Sequence, residues 1–403
     1  MNPPAHYRAD IDVLRGIAIL GVLAFHFFPD WLPSGFVGVD VFFVISGYLI
    51  TSILQRELRD HRFRLFKFYE RRCRRILPAL AVVLYAVVIG SFWLASPRDL
   101  IWIGQNLVAA GLLSSNIYLW LKQSDYFALD AERNPLLHVW SLSVEEQFYA
   151  IFPLLLLVLI RTTMQTRWTL MLILTASSLL ASLWLSYSAP LSAFYLLPTR
   201  GWELGFGVLL AFYAVERRPF GPEQTRHLFR LLGATVVAVA MASPRISSYL
   251  HQREVVLACL GTVLLIYAGG DGAGMRAPLS LVPLQMVGRI SYSLYLWHWP
   301  LLALSNHAER VGAGSISKSS ILAASFALAW ASQRWVEQPA RDRKRLSSRS
   351  FWYLLGWAYL PLILLTALIF LAMDCRNASR RRISIGWRTS SLTPLTIKSI
   401  AAT

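Results

Sequence analysis

Long apolar segments recur along the whole chain, separated by short polar stretches. A membrane-spanning helix needs about 20 mostly apolar residues, and fewer when it is buried among other helices. The pattern therefore predicts an all-α fold, namely a polytopic integral membrane helical bundle. The apolar segments are 11–29, 36–54, 77–95, 101–120, 139–160, 168–187, 201–215, 229–243, 254–269, 283–305, 319–335 and 351–373.

The segment at 101–120 differs from the others because polar side chains interrupt it. A helix that crosses the membrane rarely carries so many polar groups without a reason in its surroundings. We expect this segment to be a re-entrant or interfacial helix that does not cross. The interrupting residues are Gln105, Asn106, Ser114, Ser115 and Asn116.

Basic residues in the loops indicate the orientation of the spans. If 101–120 does not cross and the N-terminus is cytoplasmic, the inner loops hold 24 of the 39 Lys and Arg residues and the outer loops hold eight. This is the expected positive-inside bias, and it nearly vanishes if 101–120 crosses. We therefore expect about ten core transmembrane helices within residues 1–345, an eleventh span at 346–373 and a short basic tail at 374–403.

Composition narrows the class of protein. Apolar residues make up 56% of the chain and charged residues 15%, against about 45–50% and about 25% in soluble domains, which argues against a soluble enzyme. The net charge of +17 is mostly explained by the inner loops, so we expect no nucleic acid partner. Three cysteines are too few and too scattered for a disulfide framework or a zinc site: Cys73, Cys259 and Cys375.

The first span carries two ionisable side chains on one face. Arg15 and His26 are eleven residues apart, which brings them within about 20° of the same face and separates them by about 16 Å along the axis. Ionisable groups inside membrane helices often have a function. The alternative is an interfacial arginine and a buried structural histidine, and the spacing leaves both interpretations open.

The next span and the loop after it add a carboxylate and a basic cluster. Asp40 lies among aromatic residues, and we expect it to pair with an Arg or His because an unpaired buried carboxylate would be neutralised. The basic cluster is either a topogenic or lipid-binding signal or an anion-binding site for phosphates. Its members are Arg71, Arg72, Arg74 and Arg75.

Further polar residues lie toward the predicted outer ends of later spans. Glu145 and Glu146 follow His138 within about two turns of a span boundary, where carboxylates also complement the helix dipole. Arg289, like Arg15, lies at the predicted inner side of the membrane. This division suits a reaction that holds an anionic donor at the cytosol and reaches an acceptor outside. The other polar residues near the predicted outer ends are His26, Tyr149, Arg200, Glu203 and His298.

Six motifs and the Arg15/His26 pair occur together, in one order, over residues 7–345. On these residues the chain resembles the membrane acyltransferase-3 family, and specifically its bacterial O-antigen acetylase type. Several long motifs in order are highly specific, unlike an isolated Arg and His eleven residues apart. The motifs are GVDVFFVISGYLIT (38–51), FYERRCRRILPA (68–79), NPLLHVWSLSVEEQFY (134–149), PTRGWELGFG (198–207), GRISYSLYLWHWPL (288–301) and VEQPAR (336–341).

The resemblance implies a membrane-bound O-acyltransferase of the bacterial inner (cytoplasmic) membrane. It would transfer an acyl group, usually acetyl, from cytosolic acetyl-CoA to a hydroxyl of a surface or lipid-linked polysaccharide such as lipopolysaccharide O-antigen. Acetyl-CoA is then a substrate, and no permanent cofactor or metal is expected because a thioester already stores the free energy needed. The expected partners are acyl-CoA, the glycan acceptor and membrane lipids.

The resemblance also gives functional weight to Arg15, His26, the basic motif and Glu145. We expect His26 to act as general base on the acceptor hydroxyl, or to carry the acyl group briefly, with Glu145 orienting its imidazole. Arg15 would contact the donor or pair with Asp40. The donor-side residues would be Asp40, Arg71, Arg72, Arg75 and Arg289, and the acceptor-side residues His138, Glu146, Tyr149, Arg200, Glu203 and His298.

The chain departs from the family pattern after its last predicted span. Members with these motifs often continue into a periplasmic SGNH-hydrolase-like domain, for which 374–403 is too short and lacks a Gly-Asp-Ser motif. The acyl group would then be transferred directly or passed to a separate SGNH-type partner.

Two rival classes are a transporter or flippase of a glycan-related substrate, which the lack of duplicated halves disfavours, and a catalytically inactive assembly factor.

Overall fold

A computed structural model describes residues 8–122, 133–216, 223–244, 252–269 and 281–364. Every regular element within these ranges is helical, which confirms the all-α prediction. The helices are α1 Ala9–Phe27, α2 Gly38–Arg59, α3 Leu65–Leu94, α4 Pro97–Gly111, α5 Ser115–Leu121, α6 Val139–Leu159, α7 Met164–Ser188, α8 Pro190–Tyr195, α9 Leu197–Glu216, α10 Glu223–Ala242, α11 Gln252–Gly269, α12 Val282–Arg310, α13 Lys318–Ser332, α14 Gln338–Arg341 and α15 over 348–364.

The chain is a polytopic membrane helical bundle, as the hydropathy pattern predicts. In the described part of the chain, six helices are long and apolar enough to cross a membrane, namely α2, α3, α6, α7, α10 and α11. Helices α1, α9 and α12 are also 19, 20 and 29 residues long, but each carries ionisable side chains along its length. The count of eleven spans stays a prediction.

Helices α1 and α12 pack backbone against backbone. A side chain at Gly16 would collide with the backbone of α12, and one at Gly288 would collide with the backbone of α1. The two helices run in the same direction, because Gly16 faces the beginning of α12 while His26 lies against His298. This close approach fixes the register of the two helices, and with it the relative depths of the polar residues they carry.

The interrupted segment at 101–120 forms two short helices, α4 and α5. The break falls at Leu113, whose φ is +54°, and the polar residues on either side are used in hydrogen bonds. The amides of Asn116 and Gln147 bond reciprocally at 2.8 and 3.2 Å, and Ser115 donates to Asn106 at 3.0 Å. Helices of 15 and 7 residues are each too short to cross alone, and that the segment as a whole does not cross stays a prediction.

The described part of the chain ends with a helix that returns along α3. Helix α13 continues through a π-helical turn at Gln333–Glu337 into α14. Helix α15 then packs on α3, where Tyr85 donates to the carbonyl of Ala358 at 2.7 Å. The rest of the predicted eleventh span and the basic tail at 374–403 lie outside the described residues.

We expect the two ends of the α4–α5 segment to lie on the same side of the membrane. In a cysteine-free background, Ala95→Cys and Lys122→Cys should both react with a membrane-impermeant maleimide added to that side, because neither helix is long enough to cross. Thr163→Cys, in the exposed turn after α6, serves as the control and should react only from the opposite side. Labelling of Ala95→Cys and Lys122→Cys from opposite sides would show that the segment crosses.

Candidate functional site

A cavity opens between α1, α2, α3, α6 and α12 and encloses about 890 Å³, including the open space at its mouth. It follows α2 from Ile53 to Val39, roughly 21 Å along the helix axis. A mainly apolar cavity with a few convergent polar groups is the usual form of a small-molecule site. The polar residues of its wall are Arg15, Ser46, Arg72, Arg75, Ser141, Glu145, Tyr149, Ser291, Tyr292 and Tyr295.

Three arginines converge at one part of the cavity, which we call the arginine end after Arg15, Arg72 and Arg75. Arg72 and Arg75 share a face of α3, because residues three apart on a helix are neighbours. The guanidinium of Arg72 lies 3.8 Å from the ring centroid of Tyr149. Arg75 makes no hydrogen bond or ion pair with a described side chain, and Arg15 is 3.9 Å from the carboxylate of Asp12. The arginine end therefore retains hydrogen-bond donors for an anionic ligand.

Glu145 and Glu146 also lie at the arginine end, although their position early in a span predicted the opposite end. Glu145 accepts hydrogen bonds from Ser46 at 2.6 Å and Tyr149 at 2.5 Å, and Glu146 accepts from Arg72 at 3.0 Å. Two turns of α6 move these carboxylates about 10 Å from the start of the helix. Both are therefore deep enough to balance the charge of the arginines.

Three histidines form a second group, the histidine end, defined by His26, His138 and His298. Nδ1 of His26 lies 3.1 Å from Nε2 of His298, whose Nδ1 lies 3.2 Å from the carbonyl oxygen of Leu294. A carbonyl only accepts, so Nδ1 of neutral His298 carries the proton and its Nε2 accepts from Nδ1 of His26. The lone pair of His26 is then on Nε2, the atom that a general base would use.

His138 lies on the other side of His298. Its ring centroid is 5.8 Å from that of His298, and neither of its buried ring nitrogens has a hydrogen-bond partner among the described residues. Buried polar groups without partners are uncommon in proteins. In the part of the chain that the structure describes, no group of three or more His, Cys, Asp or Glu side chains is arranged to hold a metal ion.

Tyr295 and Ser141 join the cavity to the histidine end. Both line the cavity, and their hydroxyls lie 2.7 Å apart. The hydroxyl of Tyr295 also donates to the carbonyl of His138 at 2.9 Å, and its ring centroid is 5.5 Å from that of His298. The cavity therefore reaches from the arginines to a layer of side chains in direct contact with the histidines.

The predicted pairing of Glu145 with His26 is wrong. Within the described residues, the hydrogen bonds and ion pairs of Glu145 go to two hydroxyls and to Arg72, while His26 pairs with His298. The reason is depth, because His26 lies level with the start of α6 and Glu145 lies two turns further along. Tyr149, predicted on the acceptor side, is deeper still, against Arg72.

Asp40, Arg200 and Glu203 form a buried ion cluster beside the cavity. Arg200 donates to Asp40 at 2.5 Å and lies 3.2 Å from Glu203. Two carboxyls and one guanidinium are neutral together only when one carboxyl holds a proton, and an uncompensated buried charge is strongly unfavourable. Asp40 does pair with an arginine, but its partner is Arg200 rather than Arg15. None of the three lines the cavity, so Asp40 is not positioned on the donor side as predicted.

The remaining predicted arginines lie away from the cavity wall. Arg71 pairs with Glu57 at 2.6 Å and is exposed. Arg74 points to another face of α3, where it is buried and donates to Glu70 at 2.8 Å. The side chain of Arg289 is 53% exposed at the end of α12. Of the basic motif, two arginines face the cavity, one is paired at the surface and one joins α3 to the rest of the bundle.

Sequence reasoning missed Tyr292 and Tyr295, which line the cavity between its two ends. Together with the predicted His298 they recur every three residues, which places them near one face of α12, and this spacing was the available signal. The aromatic residues of this segment instead suggest an interfacial belt. Trp297 and Trp299 are both buried, and the indole N–H of Trp299 donates to the carbonyl of Asn134 at 2.8 Å.

A family model described as an acyltransferase domain matches residues 8–331, a range that contains the cavity and both of its ends. The chain belongs to this family, the membrane acyltransferase-3 family, as the motifs predicted.

Three relatives illustrate the range of similar proteins. The peptidoglycan O-acetyltransferase OatA of Listeria monocytogenes is 31% identical over 83% of this chain and 56% of its own length. The O-acetyltransferase OatA of Staphylococcus aureus is 32% identical over 74% and 51%, respectively. The putative membrane-bound transacylase BcsY of Komagataeibacter xylinus is 35% identical over 75% of each chain. The chain thus spans about half the length of the OatA relatives. No solved structure matches it.

We expect the two non-cavity arginines of the basic motif to differ strongly in their effect on stability. Arg74→Gln leaves the buried carboxylate of Glu70 without one of its partners, so the free energy of unfolding should fall by about 3–5 kcal/mol. Arg71→Gln removes an exposed ion pair and should change it by less than about 1 kcal/mol. Unfolding of both variants in detergent micelles measures the difference, and equal effects would contradict the assigned burial.

Proposed function

We propose that the chain is a membrane-bound O-acyltransferase that moves an acetyl group from cytosolic acetyl-CoA to a hydroxyl of a cell-surface or lipid-linked polysaccharide, such as lipopolysaccharide O-antigen. The observation that carries the proposal is the continuous cavity from three arginines to the Tyr295–Ser141 pair, which touches the histidine end. A donor with an anionic head and a long neutral arm fits such a cavity. Its reactive end would reach the imidazole of His26.

The family supports acyl transfer, and the names of the relatives support the acceptor class. Two relatives are named as O-acetyltransferases and one as a transacylase. Peptidoglycan appears in the name of the Listeria relative, and this acceptor is not carried over to the present chain. For this chain we infer a polysaccharide acceptor from the shared family, and we keep O-antigen as the specific proposal.

The orientation follows from the distribution of basic residues. With the arginine end facing the cytosol, the inner loops carry three times as many Lys and Arg residues as the outer loops, in accord with the positive-inside rule. The N-terminus is then cytoplasmic and the histidine end faces the outer side of the bacterial inner membrane. Acetyl-CoA is available at the arginine end and the glycan at the histidine end.

Arg72 and Arg75 are suited to hold the diphosphate of CoA. Guanidinium groups form paired, charge-assisted hydrogen bonds to phosphate oxygens, and within the described residues no hydrogen bond or ion pair of Arg75 would compete. Arg15, from α1, adds positive charge on the facing wall. Glu145 would not touch the acyl group. It accepts from Ser46 and Tyr149 and so fixes two hydroxyls of the cavity wall.

The proposed chemistry begins at Nε2 of His26. This nitrogen takes the proton of the acceptor hydroxyl while the oxygen attacks the thioester carbonyl. The new C–O bond forms, the C–S bond breaks, and the CoA thiolate leaves and takes the proton from Nε2 of His26, which regenerates the base. His298 is a positioning residue, since its hydrogen bond to Leu294 fixes the tautomer and the ring orientation of His26. Transfer through a separate SGNH-type partner remains an alternative last step.

We expect Arg75→Gln to weaken the binding of acetyl-CoA to the purified protein by about tenfold to a hundredfold, since it removes one or two charge-assisted hydrogen bonds. Arg71→Gln is the matched control, as it lies four residues earlier on α3 but outside the cavity, and it should bind as wild type does. Isothermal titration calorimetry in detergent measures both. Wild-type affinity in the Arg75 variant would make the basic motif a topogenic signal only.

We expect His26→Ala to abolish O-acetyl esters on the surface glycan, because a positioned general base contributes about 10²- to 10⁴-fold to such reactions. His298→Gln should lower kcat without changing the KM for acetyl-CoA. His307→Gln is the control, since His307 is also buried but bonds to the carbonyl of Arg133 at 2.9 Å. Mass spectrometry of the glycan and kinetics of the purified protein are the measurements. Full ester content with His26→Ala protein in the membrane would exclude the mechanism and favour a transporter or flippase.

A further inference from the structure

The VEQPAR segment at 336–341 is held between helices α3 and α12, and the proposed function gives it no role. Glu337, which is buried, accepts a short hydrogen bond from Ser293 of α12. The carbonyl of Ala340 accepts from Arg74 of α3 at 2.8 Å. The π-helical turn at Gln333–Glu337 inserts an extra residue into the helix and so rotates both groups toward the bundle. Turns of this kind are often found at functional sites.

Arg341 ends this segment and is held by the buried Glu337. Its guanidinium donates to Glu337 at 2.6 Å, and 43% of its side chain remains exposed. Burial removes part of the hydration of Arg341 and is the main cause that lowers its pKa to about 10. The positive charge of Arg75 contributes in the same direction. Arg341 therefore stays cationic at neutral pH and lies close enough to Arg75 to feel its charge.

Arg341 lies beside the arginine end of the cavity rather than in its wall. The carbonyl of its neighbour Ala340 accepts from Arg74, one residue before Arg75, but Arg341 itself does not line the cavity. Along CoA, the diphosphate lies between the thioester arm and the ribose 3′-phosphate. A donor whose diphosphate meets Arg72 and Arg75 would carry its 3′-phosphate further toward the mouth.

We propose that Arg341 binds the 3′-phosphate of the CoA donor and that Glu337 positions it for this contact. The inference rests on the proposed function, because it takes an acyl-CoA as the ligand of the cavity. A partly exposed guanidinium with free N–H groups, oriented by a buried carboxylate, is suited to a phosphate that arrives from solvent. It makes the VEQPAR segment part of donor recognition.

The test compares CoA with 3′-dephospho-CoA, which differ only in this phosphate. We expect the purified wild-type protein to bind CoA at least about tenfold more tightly than 3′-dephospho-CoA, and Arg341→Gln to reduce this ratio to about one by weakening CoA binding alone. Arg345→Gln is the matched control, because Arg345 is an exposed arginine four residues later, paired with Asp342, and it should retain the wild-type ratio. Calorimetric titration in detergent gives both affinities.

Arg341→Gln leaves Glu337 buried without its cation, so the double variant Glu337→Gln/Arg341→Gln provides a second measurement if the single variant is unstable. It should also bind the two ligands equally. A wild-type ratio in either variant, or equal weakening of both ligands, would overturn the assignment to the 3′-phosphate. Wild-type protein that bound neither ligand would instead overturn the donor of the proposed function, and the inference with it.

Discussion

A charge inside a helix bundle needs an opposite charge or several hydrogen bonds, and this constraint determines where chemistry can occur in the molecule. Arg74 and Arg200 each have a buried carboxylate partner, and each joins helices that are distant in sequence. Arg75 makes no hydrogen bond or ion pair with a side chain of the described residues. A cavity that holds such a cation beside two paired carboxylates is suited to an anion from solution, and this distinguishes the site from the structural ion pairs around it.

The same constraint explains why the two ends of the site differ in chemistry. The arginine end has aqueous surroundings at its mouth and holds permanent charges, with Glu145 and Glu146 as partial counterions. The histidine end is enclosed by aromatic side chains, and its groups can be neutral. Imidazole pairs such as His26–His298 require no counterion when neutral, so they are stable at a depth where a carboxylate would need a cation. In the proposed mechanism, proton transfer and anion binding would therefore take place at different ends of one cavity.

The sequence predicted the bundle and the family, and it predicted part of the site. Apolar length was sufficient to predict the helical bundle. The polar residues of 101–120 singled out the segment that forms two short helices, but the break between them was not predicted. Arg15 and His26 lie on one continuous helix, α1, as their predicted separation along the helix axis requires. Helical spacing did not predict the depth of Glu145 relative to His26. These two residues lie on different helices, and the position of α6 relative to α1 depends on packing. Helical spacing also could not supply partners from distant segments, such as Arg200 for Asp40 or Ser293 for Glu337, since no local pattern links them.

The glycine contact between α1 and α12 has a consequence for how the molecule can work. One helix carries Arg15 and His26, and the other carries Tyr292, Tyr295 and His298, while Gly16 and Gly288 bring their backbones into contact. Sliding either helix would bring side chains beside these glycines against the facing backbone, so the contact keeps the distance between the two ends constant. In the proposed reaction the acyl group would cover this distance while α1 and α12 stay in place, unlike the alternating halves of a transporter.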